Sequence, residues 1–444
     1  MHATFAAAHR QRLLLVSAAF AGTMASFSAT AGGLGSYELG TEDVGLAAAG
    51  YAARAQDATT VYTNPAGMTH LEGNQFQLGT QMLFSNLQFS NGNGTSAALG
   101  SNESGKAVNV VGWKGIVPGG SAFYSYSVSP DLKVGIATVA NWGLGEKYDD
   151  NWVGRYYFQK VTLLGASIVP SIAYRVNEQF SIGAGAVAMD GILRFRSAVN
   201  NAVPGMPDGK VQMDDDKWGF GGNVGVLYEP TRGTRFGLTY NSEIKLKFEP
   251  NANFSGTGPV LTNLLNARGL NGTKVDLGIN VPQQVMGSFF HAANERWALL
   301  GNVGWQQQSK LGKIAVGLDD TTNPTSLTAN LNFKDTWHGA LGAQYSPGGQ
   351  WRYNFGVAYD SSMYRASTVL PILPSGWAWR FGAGAQKDAG KDFSWGVAAT
   401  YVYGGTLDVN QQSLPVAVGG KGNLVGSFNN IGSLYVAANF NWKF

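Results

Sequence analysis

The end of the chain alternates strictly between two kinds of side chain. One set is apolar and the other is mostly small or polar; they are Leu434, Val436, Ala438, Phe440, Trp442 and Phe444 against Tyr435, Ala437, Asn439, Asn441 and Lys443. The same alternation runs through residues 297–306, 353–360 and 393–403. Because successive side chains of a strand point to opposite faces, these segments are predicted to be strands with one apolar face. Strands of about ten residues with an outward apolar face are typical of transmembrane β-barrels.

The connections between these strands alternate in length. Short turns are predicted at 129–131, 177–178, 229–233, 294–296, 347–350 and 388–391. Long loops are predicted at approximately 90–105, 142–160, 196–216, 248–281, 310–328, 364–376 and 404–429. Barrels of this class have short periplasmic turns and long outer loops, and this pattern implies roughly 14 strands. The predicted fold class is therefore an all-β transmembrane antiparallel β-barrel.

The N-terminal residues 1–31 have the features of a secretory signal peptide. A short basic region with Arg10 and Arg12 precedes an apolar run at 13–20, which is too short to span a bilayer. Ala29-Thr30-Ala31 matches an A-x-A cleavage site. The mature chain is expected to start at Gly32 and to be exported.

Composition supports a membrane barrel. Charged residues make up 13% of the chain, against about 25% in soluble domains. The sequence contains no cysteine, so the exported chain must be stabilised by its sheet rather than by disulfides. A net charge of +3 is too small to indicate a nucleic acid partner.

Residues 32–73 differ from the rest of the chain. The segment 45–55 is rich in alanine and lacks strand alternation, and Asn64-Pro65-Ala66-Gly67 then interrupts the chain. Some forty residues are too few to bury a core of their own. They are predicted to form a small helical plug in the lumen of a barrel made by residues 74–444.

The plug segment carries a family resemblance. Residues 46–69, with the core Asp-Ala-Thr-Thr-Val-Tyr-Thr-Asn-Pro-Ala-Gly-Met, resemble the plug of the FadL/TodX family of outer-membrane transporters of hydrophobic compounds. Residues 130–145 and the motif Trp-x-Gly-Arg-Tyr at 152–156 are a second match. The layout of plug, strands and terminal Phe444 extends the resemblance over the mature chain.

The resemblance implies a route for the ligand. Outer loops would capture it, a lumen pocket above the plug would hold it, and a kink in the third strand would release it sideways into the lipid. Asn64, Pro65 and Ala66 would form the gate, with the Asn64 amide expected to bond the kinked strand. The lateral opening would lie at Asn141, Trp142, Gly143 and Leu144, which replace the family's usual Pro-Phe-Gly-Leu. Long-chain fatty acids and monoaromatic hydrocarbons both remain open as substrates.

Apolar stretches in the outer loops are candidate capture sites. Residues 259–270 resemble an amphipathic helix, with Leu261, Leu264 and Leu265 on one face and Leu270 near its end. Residues 369–374 are a second apolar stretch that is expected to be exposed. These loops would bind ligand, or else pack on each other. Arg155 would meet a ligand carboxylate, or else act as a rim charge facing lipopolysaccharide.

Other functions fit less well. A diffusion porin needs an open lumen, a surface adhesin would not explain the plug, and an energy-coupled transporter of about 22 strands needs a longer chain. No G-x-S-x-G motif precedes a helix, and no cofactor, metal site or catalytic residue is predicted. The expected partners are a hydrophobic ligand, outer-membrane lipid and lipopolysaccharide, and the assembly machinery reading Phe444. The protein is expected to be monomeric.

Overall fold

The alternating segments form long antiparallel strands. The computed structural model describes residues 34–100, 108–109, 116–201, 203, 205–318, 325–365 and 368–444, so the predicted signal peptide lies outside the described residues. Within these ranges, no helix combines the length and the apolar composition that a membrane crossing requires. The strands are β1 (Gln75–Asn86), β2 (Phe89–Asn91), β3 (Val108–Asn109), β4 (Ile116–Ser127), β5 (Leu132–Lys147), β6 (Lys160–Arg175), β7 (Phe180–Val199), β8 (Gly209–Thr231), β9 (Thr234–Asn241), β10 (Ile244–Phe248), β11 (Asn253–Ser255), β12 (Asp276–Val281), β13 (Gln284–Ala292), β14 (Trp297–Gln306), β15 (Lys313–Leu318), β16 (Thr325–Asn330), β17 (Thr336–Tyr345), β18 (Trp351–Asp360), β19 (Ala378–Asp388), β20 (Phe393–Gln411) and β21 (Leu424–Lys443).

The main sheet closes into a barrel. Among the described residues, 17 strands belong to it, and β2, β3 and β11 are short additions to a wall of 14 strands. The first strand pairs with β4 on one side and with β21 on the other, so the sheet has no free edge at the chain ends. Closure leaves no open edge there for backbone groups in lipid. The predicted barrel of about 14 strands is confirmed.

The wall presents its apolar side chains outward. On β14 and β17 the outward residues Val303 and Leu341 are 60% and 63% exposed, whereas the inward Asn302 and Ala340 are buried. Exposed aromatic residues lie near both ends of the strands, as in the interface girdles of membrane barrels. They include Trp337 and Trp379 at the ends beside the long loops, and Trp297, Trp442 and Tyr174 at the ends beside the short turns.

All six predicted short turns separate consecutive wall strands, but several long loops are shorter than predicted. Residues 196–199 and 209–216 belong to β7 and β8, and residues 404–411 and 424–429 belong to β20 and β21. Residues 142–147 likewise continue β5. These segments look like loops because they carry charged and polar residues. Cross-strand contacts such as Arg194–Asp216, at 2.6 Å, support pairing beyond the apolar band.

A second sheet lies over the inner side of the barrel mouth. It consists of β10, β12, β15 and β16 and is antiparallel throughout. Ile244 and Leu246 of β10 lie against Gly219 and Gly221, which point into the lumen from β8. Their buried side chains join the main hydrophobic core.

Residues 34–74 form the plug, which is confirmed as an N-terminal helical segment inside the barrel. It contains α1 (Thr41–Gly45), α2 (Thr60–Thr63) and a 3-10 helix (Pro65–His70); α3 (Pro259–Ala267) and α4 (Gln308–Leu311) belong to the loops, as do 3-10 helices at Ala97–Leu99 and Val416–Val418. The plug backbone lies directly on glycines of the wall. A Cβ at Gly356 would be 1.9 Å from the carbonyl oxygen of Leu46, and one at Gly237 would be 2.0 Å from that of Ala52. Glycine at these wall positions therefore leaves the room that the plug backbone occupies.

We predict that Gly356→Ala loosens the plug without unfolding the barrel. The added methyl group must displace the Leu46 carbonyl, and overpacking of this kind costs about 1–3 kcal/mol. Hydrogen exchange of the plug amides should accelerate roughly 5- to 150-fold, measured by mass spectrometry. The matched control is Gly339→Ala on the neighbouring β17, where a Cβ meets nothing within 4 Å. Equal exchange rates in the two variants would contradict the prediction.

Candidate functional site

Charged and polar contacts fix the start of the plug to the wall. Glu38 forms a buried ion pair with Arg380 of β19, and Glu42 in α1 lies 3.1 Å from Arg352 of β18. Thr41 hydrogen bonds to Asn439, at 2.5 Å, and accepts a bond from the Gln386 amide at 2.7 Å. These contacts hold α1 against β18 to β21.

Burial raises the pKa of two acidic groups within the plug, Glu42 and Asp43. Burial and then the charge of Asp57 raise the pKa of Glu42 to about 8. Burial also raises the pKa of Asp43 to about 6, against the opposing charge of Arg54, which lies 2.9 Å away. Burial thus opposes the ionisation of both carboxyl groups, and the charge of Arg54 favours the ionised form of Asp43.

The segment Asn64-Pro65-Ala66 lies against β7 and β8. The Asn64 amide donates to the carbonyls of Ala52, at 2.7 Å, and Val226, at 3.0 Å. The expectation that it bonds the kinked strand is therefore wrong. Gly225 permits this approach, because a Cβ there would lie 2.0 Å from the Asn64 side-chain oxygen. The segment anchors the plug to the wall at β7 and β8.

The third wall strand, β5, breaks its pairing at the predicted kink. Within the described residues, its ladder with β4 runs only as far as Val139, opposite Ser121. Asn141 is then bulged out of the ladder with β6. Gly143 has a φ of +129°, and a Cβ there would lie 2.0 Å from the Leu163 carbonyl oxygen, so this position requires glycine. The segment 141–144 thus bends away from β4.

The beginning of the plug takes the place of β4 at this point. The Ser36 amide donates to the Asn141 carbonyl at 2.8 Å, and the Gly143 amide donates to the Leu34 carbonyl at 2.7 Å. The Asn141 side chain also donates to the Tyr62 hydroxyl at 3.1 Å. Sequence reasoning missed residues 34–36, because a short segment without alternation gives no sign that it pairs with a strand.

A cavity of about 50 Å³ lies between the plug and the kinked strand. Asn141 and Trp142 line it together with Gly35 and Ser36, so the cavity touches the segment that completes the wall. The remaining lining combines apolar and amide side chains, among them Val187, Met189, Ile244, Gln284, Gln306 and Gln308. The glutamines were not predicted. The two at 283–284 precede and begin β13, and the three at 306–308 end and follow β14, so their repetition at neighbouring strand ends was a usable signal.

The predicted amphipathic helix is present as α3, but its apolar residues do not share one face. Leu264 is 53% exposed and so is Val260, one turn before it, whereas Leu265 is buried. Leu261 and Leu270 are half-buried. Leu264 and Leu265 differ by about 100° around the helix axis, so one turns outward when the other turns inward.

The exposed side of α3 adjoins a second loop. Met206 lies on Gly258 at the start of α3, and Asn201 accepts a hydrogen bond from the Gly258 amide at 2.8 Å. Four exposed apolar residues of the two loops form what we call the outer apolar patch: Val203, Met206, Val260 and Leu264.

Arg155 and the stretch 369–374, which were also predicted to contact ligand, are occupied by contacts within the protein. Arg155 donates to Asp208 and to the Leu99 carbonyl, each at 2.8 Å, and stacks on Tyr156, so it ties outer loops together. The stretch 369–374 is not the exposed segment that was expected. Val369 and Leu373 are buried in the core, because the chain bonds to β20 through the Val369 amide.

The histidines in the wall do not form a hydrolytic site with the groups they contact. His338 lies 2.7 Å from Asp360, which also accepts from Arg380, and both acid and histidine are buried. His291 contacts Thr234. The described part of the chain contains no cluster of three or more side chains suited to binding a metal ion.

Comparisons with known proteins agree with this architecture. Residues 22–444 match the family model described as outer membrane protein transport protein (OMPP1/FadL/TodX). The long-chain fatty acid transport protein of Escherichia coli O6:H1 is 26% identical over 98% of this chain and 100% of its own length. Outer membrane protein P1 of Haemophilus influenzae is 27% identical over 77% of this chain and 80% of its own.

A solved structure shares the fold. The crystal structure of a Pseudomonas aeruginosa FadL homologue superposes with a TM-score of 0.79 at 19% identity, covering 93% of this chain and 100% of that one. The match to the family model extends over almost the whole sequence, from before the plug to the last strand. The chain is therefore a multi-pass outer-membrane protein that belongs to the OMPP1/FadL/TodX family of transport proteins.

Proposed function

We propose that this protein takes up hydrophobic small molecules passively, long-chain fatty acids or similar compounds first among them. The outer loops capture the ligand, the lumen holds it, and the opening beside β5 releases it sideways into the membrane. The relatives named as long-chain fatty acid transport proteins support transport rather than catalysis. A toluene transporter of Pseudomonas putida has the same fold, with a TM-score of 0.68 at 16% identity, so monoaromatic hydrocarbons are the alternative substrate.

The interrupted pairing of β4 and β5 beside the lumen cavity carries this proposal. Asn141 and Trp142 of β5 line the cavity together with the plug residues Gly35 and Ser36, which pair with them. If residues 34–36 move, the cavity gains a path toward the lipid. A plug that fills the lumen argues against a general diffusion porin, which needs an open aqueous channel.

The anchors of the plug favour motion at one end. Asn64 holds the plug on β8, and Pro65 and Ala66 lie on Gly183 of β7. We infer that Asn64, Pro65 and Ala66 form a fixed point of the gate while residues 34–36 leave Asn141 and Gly143.

The first test is a reversible lock. Gly35 and Trp142 form a bridge of the non-hydrogen-bonded kind, in which Cα atoms are about 4.5 Å apart, within the range for a disulfide. The natural chain has no cysteine. In Gly35→Cys with Trp142→Cys, oxidation should abolish most of the uptake of radiolabelled oleate or toluene by cells lacking their own channel.

The reduced form of the same variant is the control, because it carries the same substitutions without the crosslink. Adding a reductant should restore uptake to the reduced level. If the oxidised and reduced forms transport equally well, residues 34–36 do not gate the route.

The second test concerns capture. Leu264→Asp places a charge in the outer apolar patch and should lower uptake at low ligand concentration several-fold, since burying a leucine side chain is worth about 1.5–3 kcal/mol. Asn263→Asp is the matched control, with the same added charge on an exposed neighbouring residue of α3. Initial rates should converge at saturating ligand, and an equal loss in both variants would argue against capture at this patch.

A further inference from the structure

The lumen cavity beside the kinked strand has no charged residue among the described side chains that line it. Val187, Met189, Ile244 and Val281 give it an apolar side, and Gln284, Gln306 and Gln308 give it an amide side. An ionised ligand head group would find no counter-charge among these residues. Burying an unpaired carboxylate is far more costly than burying a neutral polar group.

The three glutamines form a chain of hydrogen bonds in which one side-chain oxygen has no partner. The Gln306 amide nitrogen donates to the Tyr37 hydroxyl, at 2.8 Å, and to the Gln284 oxygen, at 3.1 Å. Its oxygen accepts from the Gln308 nitrogen at 2.8 Å. These bonds orient the Gln308 amide, and its Oε1 is left buried with no partner. Gln308 is 1% exposed and lines the cavity.

An unpaired donor lines the same cavity. Trp142 is buried on β5, and its indole Nε1–H has no hydrogen-bond partner. A buried polar atom left without a partner costs about 1–3 kcal/mol. Two such atoms, one donor and one acceptor, therefore favour a guest that can both donate and accept.

We propose that this cavity binds the uncharged hydroxyl head of an apolar ligand, such as a fatty alcohol or a phenol. The hydroxyl donates to Gln308 Oε1 and accepts from Trp142 Nε1–H, since a hydroxyl carries one donor and two acceptor lone pairs. The ligand's apolar part lies on Val187, Met189 and Ile244. This inference rests on the proposed uptake of hydrophobic compounds, and at this cavity it favours a neutral hydroxyl head over the ionised carboxylate of a fatty acid.

The cavity size is consistent with a head group. Its volume of about 50 Å³ exceeds the roughly 10–15 Å³ that one water needs by this kind of measure. A hydroxyl and its first carbons fit there, and so would a few water molecules. The experiment must therefore separate a recognised hydroxyl from trapped water.

Binding to the full chain in nanodiscs tests the inference with three probes of equal chain length. They are tritiated 1-dodecanol, dodecane and laurate at neutral pH, with binding to empty nanodiscs subtracted. We expect dodecanol to bind most tightly to the natural protein. Gln308→Met, which keeps the side-chain shape without the amide, should weaken dodecanol about three- to tenfold and leave dodecane unchanged.

Two further variants make the result specific. Trp142→Phe keeps an aromatic ring but removes the N–H, and should also weaken dodecanol selectively. Gln344→Met is the control, because Gln344 is an equally buried wall glutamine that contacts the plug residue Gln56 and does not line the cavity. It should change the binding of none of the three probes.

The outcomes separate this inference from the proposed function. If dodecane binds as tightly as dodecanol, water fills the polar corner and the inference fails while uptake of apolar compounds stands. If laurate binds most tightly and Gln308→Met does not weaken it, the head group is a carboxylate held elsewhere. If none of the probes binds above the empty nanodiscs, the proposed lumen site fails and the inference falls with it.

Discussion

Backbone groups that face lipid need hydrogen-bond partners, and this requirement governs the whole molecule. Closed barrels meet it by pairing every strand with two neighbours. Here β5 lacks the pairing with β4 beyond Val139, and the Asn141 carbonyl and the Gly143 amide are paired instead with Ser36 and Leu34. The plug thus completes the hydrogen bonding of the wall at this point. Breaking these two bonds would unpair four backbone groups, and each would cost several kcal/mol where it faces lipid.

The inward face of the wall serves the plug in two ways. Glycines such as Gly356 and Gly237 let the plug backbone approach the sheet closely. Wall amides also bond plug carbonyls: Asn302 donates to Ala48 at 3.0 Å, and Asn223 donates to Tyr62 at 2.7 Å. A short, irregular segment can therefore be buried without leaving these backbone groups unpaired.

Sequence patterns predicted what depends on local periodicity. The alternation in β14, β18, β20 and β21, the six short turns and the separate N-terminal segment all follow from spacing and turn residues. The long loops were overestimated, because polar pairs such as Arg194–Asp216 let β7 and β8 continue beyond the apolar band. Contacts between residues that are distant in sequence could not be predicted. The hydrogen bond from Asn64 to Val226 depends on how the plug lies in the lumen, which no local pattern encodes.

The orientation of individual side chains in the loops could also not be predicted from the sequence. Leu264 and Leu265 are adjacent leucines in α3, and the position of the helix against Asn201 and Met206 decides which one is exposed. Burial of Val369 likewise depends on a bond to β20. The apolar composition predicted that these loops make apolar contacts. Which of their side chains are buried and which stay exposed depends on the tertiary structure.

Mixed polarity in the lumen fits passive transport better than a fully apolar pocket would. An apolar chain gains about 0.8 kcal/mol for each CH₂ that leaves water. A deep, wholly apolar lumen would give the ligand nearly the same gain as lipid and would hold it there. The cavity instead mixes Val187 and Ile244 with amides such as Gln306, so each methylene gains less there than in the bilayer. Under the proposed function, binding is then weaker in the lumen than in lipid, and the proposed step past Asn141 toward the membrane is downhill without an energy source.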